Sequence, residues 1–480
     1  MKYIIIGGGP SGLSLAYILA LNNKNIILIE KDNKLGGSWN HTWIENKYFS
    51  ENSPRVLANI DNTKKLLNHI GINDNDLKNI YGNIFESNYK FMKFLFKYLN
   101  IFDYIKFIYG IIKYKLIKSN ITVYDWIIKN KLSKKSIKGL KILCILICDR
   151  LENTNINDFM CSITLILPKQ MKKPNKWHNL IENYLKTKNN ILILKNTEVI
   201  KLNTKFNNSI NLIYLNNNKI LKIKKNDKVF LCTQSNNIYP ILKNSSENIK
   251  NNWMKEDKMK EWCENTYYIG FGFQLHFDKK IKFSNKWCWS CENDWTIIIL
   301  PVSNWLKPFS KDKNVKTVWS CCIVDMDSKS SHINKTPNEC NKNEIINECI
   351  YQIKNSYNKN SKNIFPKIYK ITISSGLFKK NNKWLSNNTG YTKNIYNNLD
   401  IKGSINNLYA LGCFTKNYNE TFGNLGKISN MGLAINATVN YINIYEKNLK
   451  INIFSNKTNY LLILFILIIF LIIFYYITYK

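Results

Sequence analysis

Residues 2–21, with the sequence KYIIIGGGPSGLSLAYILAL, decide the fold of this chain. The apolar run at residues 2–6 predicts a short buried strand, and the Leu- and Ala-rich run at residues 11–21 predicts a helix. Residues 25–30 then predict a second strand, which ends in an acid. A strand, a glycine turn, a helix and a strand in this order are typical of a dinucleotide-binding βαβ unit. The alternative is a glycine turn in an unrelated α/β domain.

The turn between the first strand and the helix contains the motif G-x-G-x-x-G at Gly7, Gly9 and Gly12. The first glycine permits the tight turn, the second lets the backbone approach a pyrophosphate, and the third lets the helix lie close to the sheet. Pro10 and Ser11 lie at the start of the helix, where the helix N-terminus favours a phosphate group.

Two further features follow the motif. Glu30 stands about 20 residues further along the chain, where a carboxylate can accept hydrogen bonds from the ribose hydroxyls. Lys31 comes next, and the loop at residues 31–39 contains the doublet Gly36-Gly37. These features together predict that the first forty residues bind a dinucleotide.

The glycine motif, the acid and the doublet resemble those of FAD-dependent oxidoreductases. More narrowly, the chain is similar to the superfamily of amine oxidases, phytoene desaturases and protoporphyrinogen oxidases over about residues 1–445. The resemblance implies that FAD is the cofactor and that the doublet passes beside the flavin. Arg usually follows the doublet in that superfamily, whereas Ser38 and then Trp39 follow it here.

The resemblance assigns roles in later parts of the chain as well. It implies that the backbone of Val199 contacts the adenine and that the turn at Gly412 holds the pyrophosphate or the ribityl chain. Cys413 stands where an acid is usual, and the helix that opens at residues 429–434 points its N-terminus at the flavin. Arg55 faces either the pyrophosphate or a substrate acid, or else it is a surface arginine.

No Ser-His-Asp set and no cluster of metal-ligand type stands out in the sequence, so it names no catalytic residue and no metal site. A lysine near the flavin is usual in amine oxidases, but no motif places one here. The residues predicted to bind FAD are Gly7, Gly9, Pro10, Ser11, Gly12, Glu30, Lys31, Gly36, Gly37, Ser38, Trp39, Arg55, Val199, Gly412, Cys413, Asn430 and Met431.

The predicted fold class is α/β, with a Rossmann-like FAD-binding domain, a substrate domain of mixed sheet and helices, and one C-terminal transmembrane helix. The FAD-binding domain is expected to be discontinuous. The predicted boundaries are residues 1–60, 190–245 and 400–445 for the FAD-binding domain, 61–189 for a helical insertion, 246–399 for the mixed sheet, 446–459 for a linker and 460–479 for a membrane anchor.

The composition is strongly basic, with 69 Lys and Arg against 33 Asp and Glu and a net charge of +36. Such a charge suits nucleic acid or an anionic membrane surface. The lysines are spread through a chain rich in Ile, Asn and Lys, and no nucleic-acid motif accompanies them. We therefore expect no nucleic-acid partner.

The 12 cysteines are irregularly spaced and do not predict a disulfide framework. Cys288 and Cys291 form a C-x-x-C pair, but no second pair stands at zinc spacing and the pair does not follow a thioredoxin-like strand. Reduced thiols are the expected state.

Residues 91–117 are unusually aromatic and basic. One interpretation is a helical part of the substrate domain that turns an apolar face towards the core. The other is an element at a membrane surface, with aromatic side chains in the lipid and lysines at the head groups. The first is favoured, and the second stays open.

Residues 460–479 contain no charged side chain. As a helix they would span about 30 Å, the thickness of the hydrocarbon core of a bilayer. Because the first strand starts at the second residue, no signal peptide is expected. The sequence therefore predicts a tail-anchored protein whose globular part faces the cytoplasm.

The predicted function is that of a membrane-anchored FAD-dependent oxidoreductase that takes hydride from a small, lipophilic substrate. Trp384 and Tyr418 are candidates for aromatic walls of the substrate site, although packing in the core is the more ordinary role for each. One alternative is an NAD(P)H-dependent flavin monooxygenase. Another is a non-catalytic membrane scaffold, in keeping with Ser38 and Cys413 at positions where polar contacts are usual.

Overall fold

The computed structural model of the 480-residue chain describes residues 1–51, 55, 57, 61–79, 88–117, 119–146, 150–152, 154–163, 169–205, 208–264, 268–281, 293–361, 364–386, 399–416, 431–449 and 453.

The helices and strands of these ranges alternate at the start of the chain and then separate into a helical part and a part made of strands. The helices are α1 (Pro10–Leu21), α2 (Asp61–His69), α3 (Asn88–Tyr98), α4 (Ile101–Leu116), α5 (Val123–Lys129), α6 (Lys134–Leu146), α7 (Ile156–Ile163), α8 (Lys176–Lys186), α9 (Ile238–Leu242), α10 (Glu247–Lys250), α11 (Glu256–Glu264), α12 (Lys342–Ser361) and α13 (Met431–Tyr445). The strands are β1 (Lys2–Ile6), β2 (Asn25–Ile29), β3 (Thr42–Ile44), β4 (Tyr48–Ser50), β5 (Leu77–Asn79), β6 (Lys169–Met171), β7 (Ile191–Leu194), β8 (Val199–Lys205), β9 (Ser209–Leu215), β10 (Ile220–Lys222), β11 (Lys228–Leu231), β12 (Tyr268–Ile269), β13 (Phe271–Phe277), β14 (Ile297–Leu300), β15 (Thr317–Ile323), β16 (Lys370–Ile373), β17 (Leu377–Lys380), β18 (Lys383–Ser386) and β19 (Leu408–Ala410).

The first sheet is parallel, with the strand order β19-β11-β1-β2-β7. The central strand β1 is an apolar run because it is buried on both faces, and Ile4 lies opposite Ile27 on one side and Val229 on the other. The predicted strand, helix and strand are confirmed as β1, α1 and β2. Helix α1 begins at Pro10, one residue earlier than predicted, because proline is suited to the first helical position.

Helix α1 lies unusually close to the turn that precedes it. A Cβ atom placed on Gly12 would lie 1.9 Å from the carbonyl oxygen of Gly7. On its other side α1 contacts α13, where the hydroxyls of Ser14 and Thr438 form a hydrogen bond of 3.0 Å. The first and last helices of the described chain therefore pack together beside the parallel sheet.

At the amino-terminal edge of the parallel sheet, one carboxylate accepts hydrogen bonds from several elements. Glu446, just after α13, accepts hydrogen bonds from the hydroxyls of Tyr3 and Tyr441 at 3.1 and 2.9 Å, and from the ammonium group of Lys228. These donors belong to β1, α13 and β11. One side chain thus joins three elements that are far apart in the sequence.

The second half of the described chain forms an antiparallel sheet in the order β14-β15-β13-β16. Helix α12 starts at Lys342, because the side chain of Asn341 accepts hydrogen bonds from the backbone N–H groups of Asn343 and Glu344 and so sets the helix start.

Helices α2 to α7 occupy the stretch predicted to be helical, interrupted by the short strand β5, which pairs with β6. In the aromatic segment at residues 91–117, Phe94, Tyr104, Phe107 and Tyr114 are buried in a core shared with β14 and β15. The interpretation as a helical part of the core is confirmed for these side chains. Other apolar side chains of the segment are exposed.

The parallel sheet takes its strands from three separated stretches of the chain, around residues 2–29, 191–231 and 408–410. Strands β9 and β10 pair as an antiparallel hairpin. The exact domain boundaries stay a prediction.

Several predicted features lie outside the described residues: the anchor at residues 460–479, the C-x-x-C pair of Cys288 and Cys291, and the positions of Tyr418 and Asn430. No helix within the described ranges is long and apolar enough to cross a membrane.

The close approach at Gly12 leads to a prediction about stability. Replacing Gly12 by Ala forces a methyl group against a backbone oxygen that cannot move away, so Gly12→Ala should lower the free energy of unfolding by about 2 kcal/mol or more. Thermal or denaturant unfolding measures the change. Gly71→Ala is the matched control for space, because nothing lies within 4 Å of a Cβ there, although its φ of +87° adds backbone strain. A Gly12→Ala protein as stable as the original would contradict the packing described here.

Candidate dinucleotide site

A cavity of about 820 Å³ opens at the carboxyl ends of β1, β2, β11 and β19. Ligands of open parallel sheets bind at this edge. Most of the residues predicted to bind FAD line the cavity: Gly7, Gly9, Pro10, Ser11, Glu30, Lys31, Gly37, Ser38, Trp39, Arg55, Val199, Gly412, Cys413 and Met431. Gly12 and Gly36 support this wall from behind, and Asn430 is outside the described residues.

The glycine turn presents bare backbone to the cavity. Gly7 has a φ of +108°, and a Cβ there would lie 2.7 Å from the carbonyl oxygen of Cys232. A Cβ on Gly9, in contrast, would meet no atom of the described residues within 4 Å. Gly9 is the N-cap of α1 and no side chain caps the helix, so the N-terminus of α1 is open to the cavity. This arrangement fits a phosphate group.

Glu30 is buried at the end of β2, and its carboxylate is fixed by the backbone. Its oxygen atoms accept hydrogen bonds from the N–H of Gly8 at 2.6 Å and of Asp32 at 3.0 Å. Burial raises the pKa of Glu30, and these two hydrogen bonds act in the opposite direction. Each carboxylate oxygen can accept a second hydrogen bond, which fits the predicted contact with ribose hydroxyls.

The loop of the glycine doublet lies directly against the glycine turn. The N–H of Gly36 donates to the carbonyl oxygen of Gly8 at 2.8 Å, and a Cβ on Gly37 would lie 3.0 Å from the Cα of Gly9. Both residues of the doublet have positive φ, which only glycine adopts readily. The doublet therefore forms one continuous wall with the turn, and Trp39 extends it.

Arg55 holds this loop in place. Its guanidinium donates to the carbonyl oxygens of Ser38 at 2.9 Å and Asn40 at 2.5 Å, and to the carboxylate of Glu51 at 3.0 Å. The side chain is buried and lines the cavity, so it is not a surface arginine. Each terminal nitrogen keeps a second N–H, and a contact with a phosphate or a substrate acid stays a prediction.

Sequence reasoning missed Glu51, the partner of Arg55. Its carboxylate also accepts a hydrogen bond from Ser320 at 2.7 Å, and its backbone carbonyl accepts one from Gln274 at 2.6 Å. Ser320 and Gln274 lie in β15 and β13, so Glu51 and Arg55 connect the loop of the glycine doublet to the antiparallel sheet. The sequence signal that could have indicated this pair is an acid four residues before one of the two arginines of the chain.

The C-terminal part of the site lies at the end of β19 and the start of α13. β19 ends at Ala410, and the turn at Gly412 is packed so tightly that a Cβ would lie 2.2 Å from the ring of Phe414. Met431, the first described residue of α13, lines the same cavity as Cys413. The cavity wall also includes residues after β11 that no sequence signal indicated: Gln234, Ser235, Asn237, Lys243 and Asn244.

Trp384 does not line the cavity. Its side chain is buried in the core of the antiparallel sheet, and its indole N–H donates to the carbonyl oxygen of Cys340 at 3.1 Å. The ordinary core role is therefore the one that Trp384 has. No group of three His, Cys, Asp or Glu side chains in the described chain is placed to hold a metal ion.

His178 is buried behind the doublet, where its ring would be 2.7 Å from a Cβ on Gly36. Neither ring nitrogen has a hydrogen-bond partner within the described ranges. Burial lowers the pKa of His178 to about 4. Burial likewise lowers the pKa of His276 to about 4 and that of His41 well below its ordinary value.

The described residues fit a dinucleotide. A phosphate can meet the uncapped start of α1 at Gly9, where a Cβ would project into the cavity. The fixed carboxylate of Glu30 is placed for a ribose. The cavity extends from there past Val199 in one direction and to Gly412 and Met431 in another.

Comparisons with known proteins agree with this geometry. Residues 5–70 match the family described as NAD(P)-binding Rossmann-like domain. A stretch of 47 residues is 43% identical to the glycerol-3-phosphate dehydrogenase [NAD(P)+] of Halothermothrix orenii, which is 10% of this chain and only 14% of that enzyme. The match therefore covers only a small part of either chain.

Three solved structures resemble almost the whole chain. An oxidoreductase from Methanosarcina mazei has a TM-score of 0.59 at 12% identity, with 92% of this chain and 99% of that chain covered. A protein from Pyrococcus furiosus has a TM-score of 0.58 at 14% identity, with 95% and 99% covered. A putrescine oxidase bound to putrescine has a TM-score of 0.58 at 10% identity, with 92% and 99% covered.

These findings confirm the resemblance predicted from the sequence. The chain has an α/β Rossmann-like fold, and its structural neighbours include an oxidoreductase and a putrescine oxidase. At such low identities the likeness establishes the fold. It supports the prediction of an FAD-dependent oxidoreductase.

The pair of Glu51 and Arg55 leads to a second prediction. Arg55→Met should lower the free energy of unfolding by about 3–5 kcal/mol at neutral pH, because it leaves the buried carboxylate of Glu51 without a counter-charge. The loss should become smaller in acid, where protonation of Glu51 removes the unpaired charge. Unfolding measured across pH tests this. The double variant Glu51→Gln/Arg55→Met is the control and should recover stability at neutral pH, whereas equal losses in both variants would contradict the charge argument.

The buried histidines lead to a third prediction. The unfolded chain takes up a proton at His178 near the ordinary pKa of 6.5, whereas the folded chain does not until about pH 4. Stability should therefore fall as pH decreases through this window, with about 3 kcal/mol due to His178. In His178→Gln the dependence of the unfolding free energy on pH should be shallower. The same slope in both proteins would show that His178 is not buried in its neutral form.

Proposed function

We propose that this protein is a membrane-anchored, FAD-dependent oxidoreductase that takes hydride from a small lipophilic molecule. The main observation in support is that the residues predicted to bind FAD, from four separated parts of the sequence, line one cavity at the carboxyl edge of the parallel sheet. A chance set of glycines and polar residues would not be expected to meet in one place.

The residues of the cavity have distinct proposed roles. The turn at Gly7 and Gly9 and the start of α1 bind the pyrophosphate, and Glu30 orients a ribose. The doublet loop, held by Arg55, excludes water from one side of the cofactor. When bound, FAD supplies the hydride acceptor. The positive end of α13 at Met431 favours negative charge in its part of the cavity.

The membrane part of the proposal is supported by the sequence. Residues 460–479 are uncharged and long enough to span about 30 Å as a helix, and the chain carries a net charge of +36. An enzyme held at a bilayer has direct access to molecules dissolved in the lipid, which is the reason for proposing a lipophilic substrate. The globular part is proposed to face the cytoplasm.

The cofactor is tested by the visible absorption spectrum of the full chain purified in detergent. Peaks near ~370 and ~450 nm are expected of bound oxidised flavin. In Gly9→Ala the methyl group would project into the cavity without a clash inside the protein, so the affinity for FAD should fall by about tenfold or more, which corresponds to about 1.4 kcal/mol. Its unfolding in the absence of FAD should be nearly unchanged. A folded, colourless protein that also fails to take up added FAD would overturn the proposal and favour a scaffold.

A second candidate function is supported by one specific observation. The family that matches residues 5–70 is described as NAD(P)-binding. An NAD(P)H-dependent flavin monooxygenase would show rapid loss of the flavin absorption when NADH or NADPH is added without substrate. Slow or absent reduction by either nucleotide favours the oxidase or desaturase type of reaction.

The anchor is tested separately by extracting membranes at alkaline pH. The full chain should stay with the lipid. Two lysines at the centre of the span, Ile466→Lys and Ile469→Lys, should release it, because each costs about 2.5–3.5 kcal/mol at that depth. The conservative pair Ile466→Leu and Ile469→Leu is the control and should stay bound. Release of the unsubstituted chain would contradict the anchor.

A further inference from the structure

Helix α4 exposes an apolar stripe along its whole length. Six of its side chains are between 43% and 81% exposed: Ile101, Phe102, Ile105, Tyr109, Ile112 and Leu116. Exposed large apolar side chains are usually scattered singly. Six exposed apolar side chains on one helix of 16 residues form a surface at which a partner can bind.

The six positions share one face of the helix. At about 100° per residue they fall within an arc of about 100°. The face roughly opposite is buried in the helical core, through Tyr104, Phe107 and Tyr114. The helix is therefore apolar on two sides, and packing of the described chain accounts for only one of them.

The charges next to the stripe are positive. Lys106 and Lys113 follow directly along one edge of the arc. The ammonium group of Lys106 donates to the carbonyl oxygen of Asn130 at 2.8 Å and lies 3.8 Å from the carboxylate of Asp103, so Lys113 is the lysine of this edge that is proposed to reach the head groups. The single acid of the helix, Asp103, is buried and turned inwards, where it accepts hydrogen bonds from the hydroxyl of Ser136 at 2.7 Å and the N–H of Ser133 at 3.0 Å. Lysine side chains beside an apolar face can extend their ammonium groups to lipid head groups.

We propose that α4 lies flat in the surface of an anionic bilayer, with the stripe among the acyl chains and Lys113 at the head groups. It would be a second attachment point, which holds the globular part against the membrane independently of the anchor at residues 460–479. The net charge of +36 favours an anionic surface as the occupant. It disfavours a second copy of the chain, since two such molecules repel each other. The proposal does not depend on the flavin chemistry.

The test uses the full chain in vesicles and measures the depth of single positions. An environment-sensitive fluorophore is attached to Ile112→Cys on the stripe, or to Ile220→Cys in the hairpin, which is a matched isoleucine of similar exposure, 44% against 49%. The unsubstituted chain, labelled in the same way, gives the background from its own cysteines. The vesicles are phosphatidylcholine with or without phosphatidylserine, and a fraction of the lipid carries a quencher on its acyl chains.

In vesicles with phosphatidylserine, the label at position 112 should be quenched at least roughly twofold more than the label at 220, because a surface helix buries its apolar face about 5–10 Å below the head groups. Charge reversal by Lys113→Glu, which leaves the pair of Lys106 and Asp103 intact, should lower this difference while the anchor keeps the protein on the vesicles. Equal quenching at both positions would overturn the proposal. So would protection of position 112 that rises with protein concentration, which would indicate a second copy, or protection without acyl-chain quenching, which would indicate cover by the chain itself.

Discussion

The contact between Gly12 and the backbone at Gly7 is the constraint on which the rest of the molecule depends. With no side chain between them, α1 approaches β1 so closely that its first turn stands at the carboxyl edge of the sheet. Helix α13 packs in turn on α1, through Ser14 and Thr438. The two helix starts that line the cavity are therefore positioned by one steric requirement, and the polar chemistry of the site is arranged around it.

A second constraint links the loop of the glycine doublet to the antiparallel sheet. Arg55 donates hydrogen bonds to the backbone carbonyls that follow the doublet, and its partner Glu51 accepts hydrogen bonds from Ser320 and Gln274. Because the ion pair is buried, its removal on one side only would leave a charge without compensation. The loop of the glycine doublet and the antiparallel sheet are thus joined by a buried polar contact.

The sequence was most informative where function depends on the local backbone. The glycine turn, the doublet and the strands around them are encoded within forty residues, and the structure has them within one residue of the prediction. The role of Arg55 was not predictable in this way, because its partner Glu51 accepts a hydrogen bond from Ser320, which lies 269 positions further along the chain. The start of α12 depended on the cap at Asn341, and the pairing of β5 with β6 joins strands too short to show a pattern. For residues 91–117 the sequence left two interpretations open, and α4 shows why, since one side is buried and another is exposed.

The position of Glu446 in the chain has a mechanical consequence. Glu446 directly follows α13 and lies 14 residues before the apolar stretch that begins at Tyr460. A pull on the C-terminus would reach this residue before it reached α13. Its bonds to Tyr3, Tyr441 and Lys228 would pass the load to β1 and β11, at the edge of the sheet remote from the cavity. A load on the C-terminal end of the chain would therefore be carried at the amino-terminal edge of the sheet, away from the cavity.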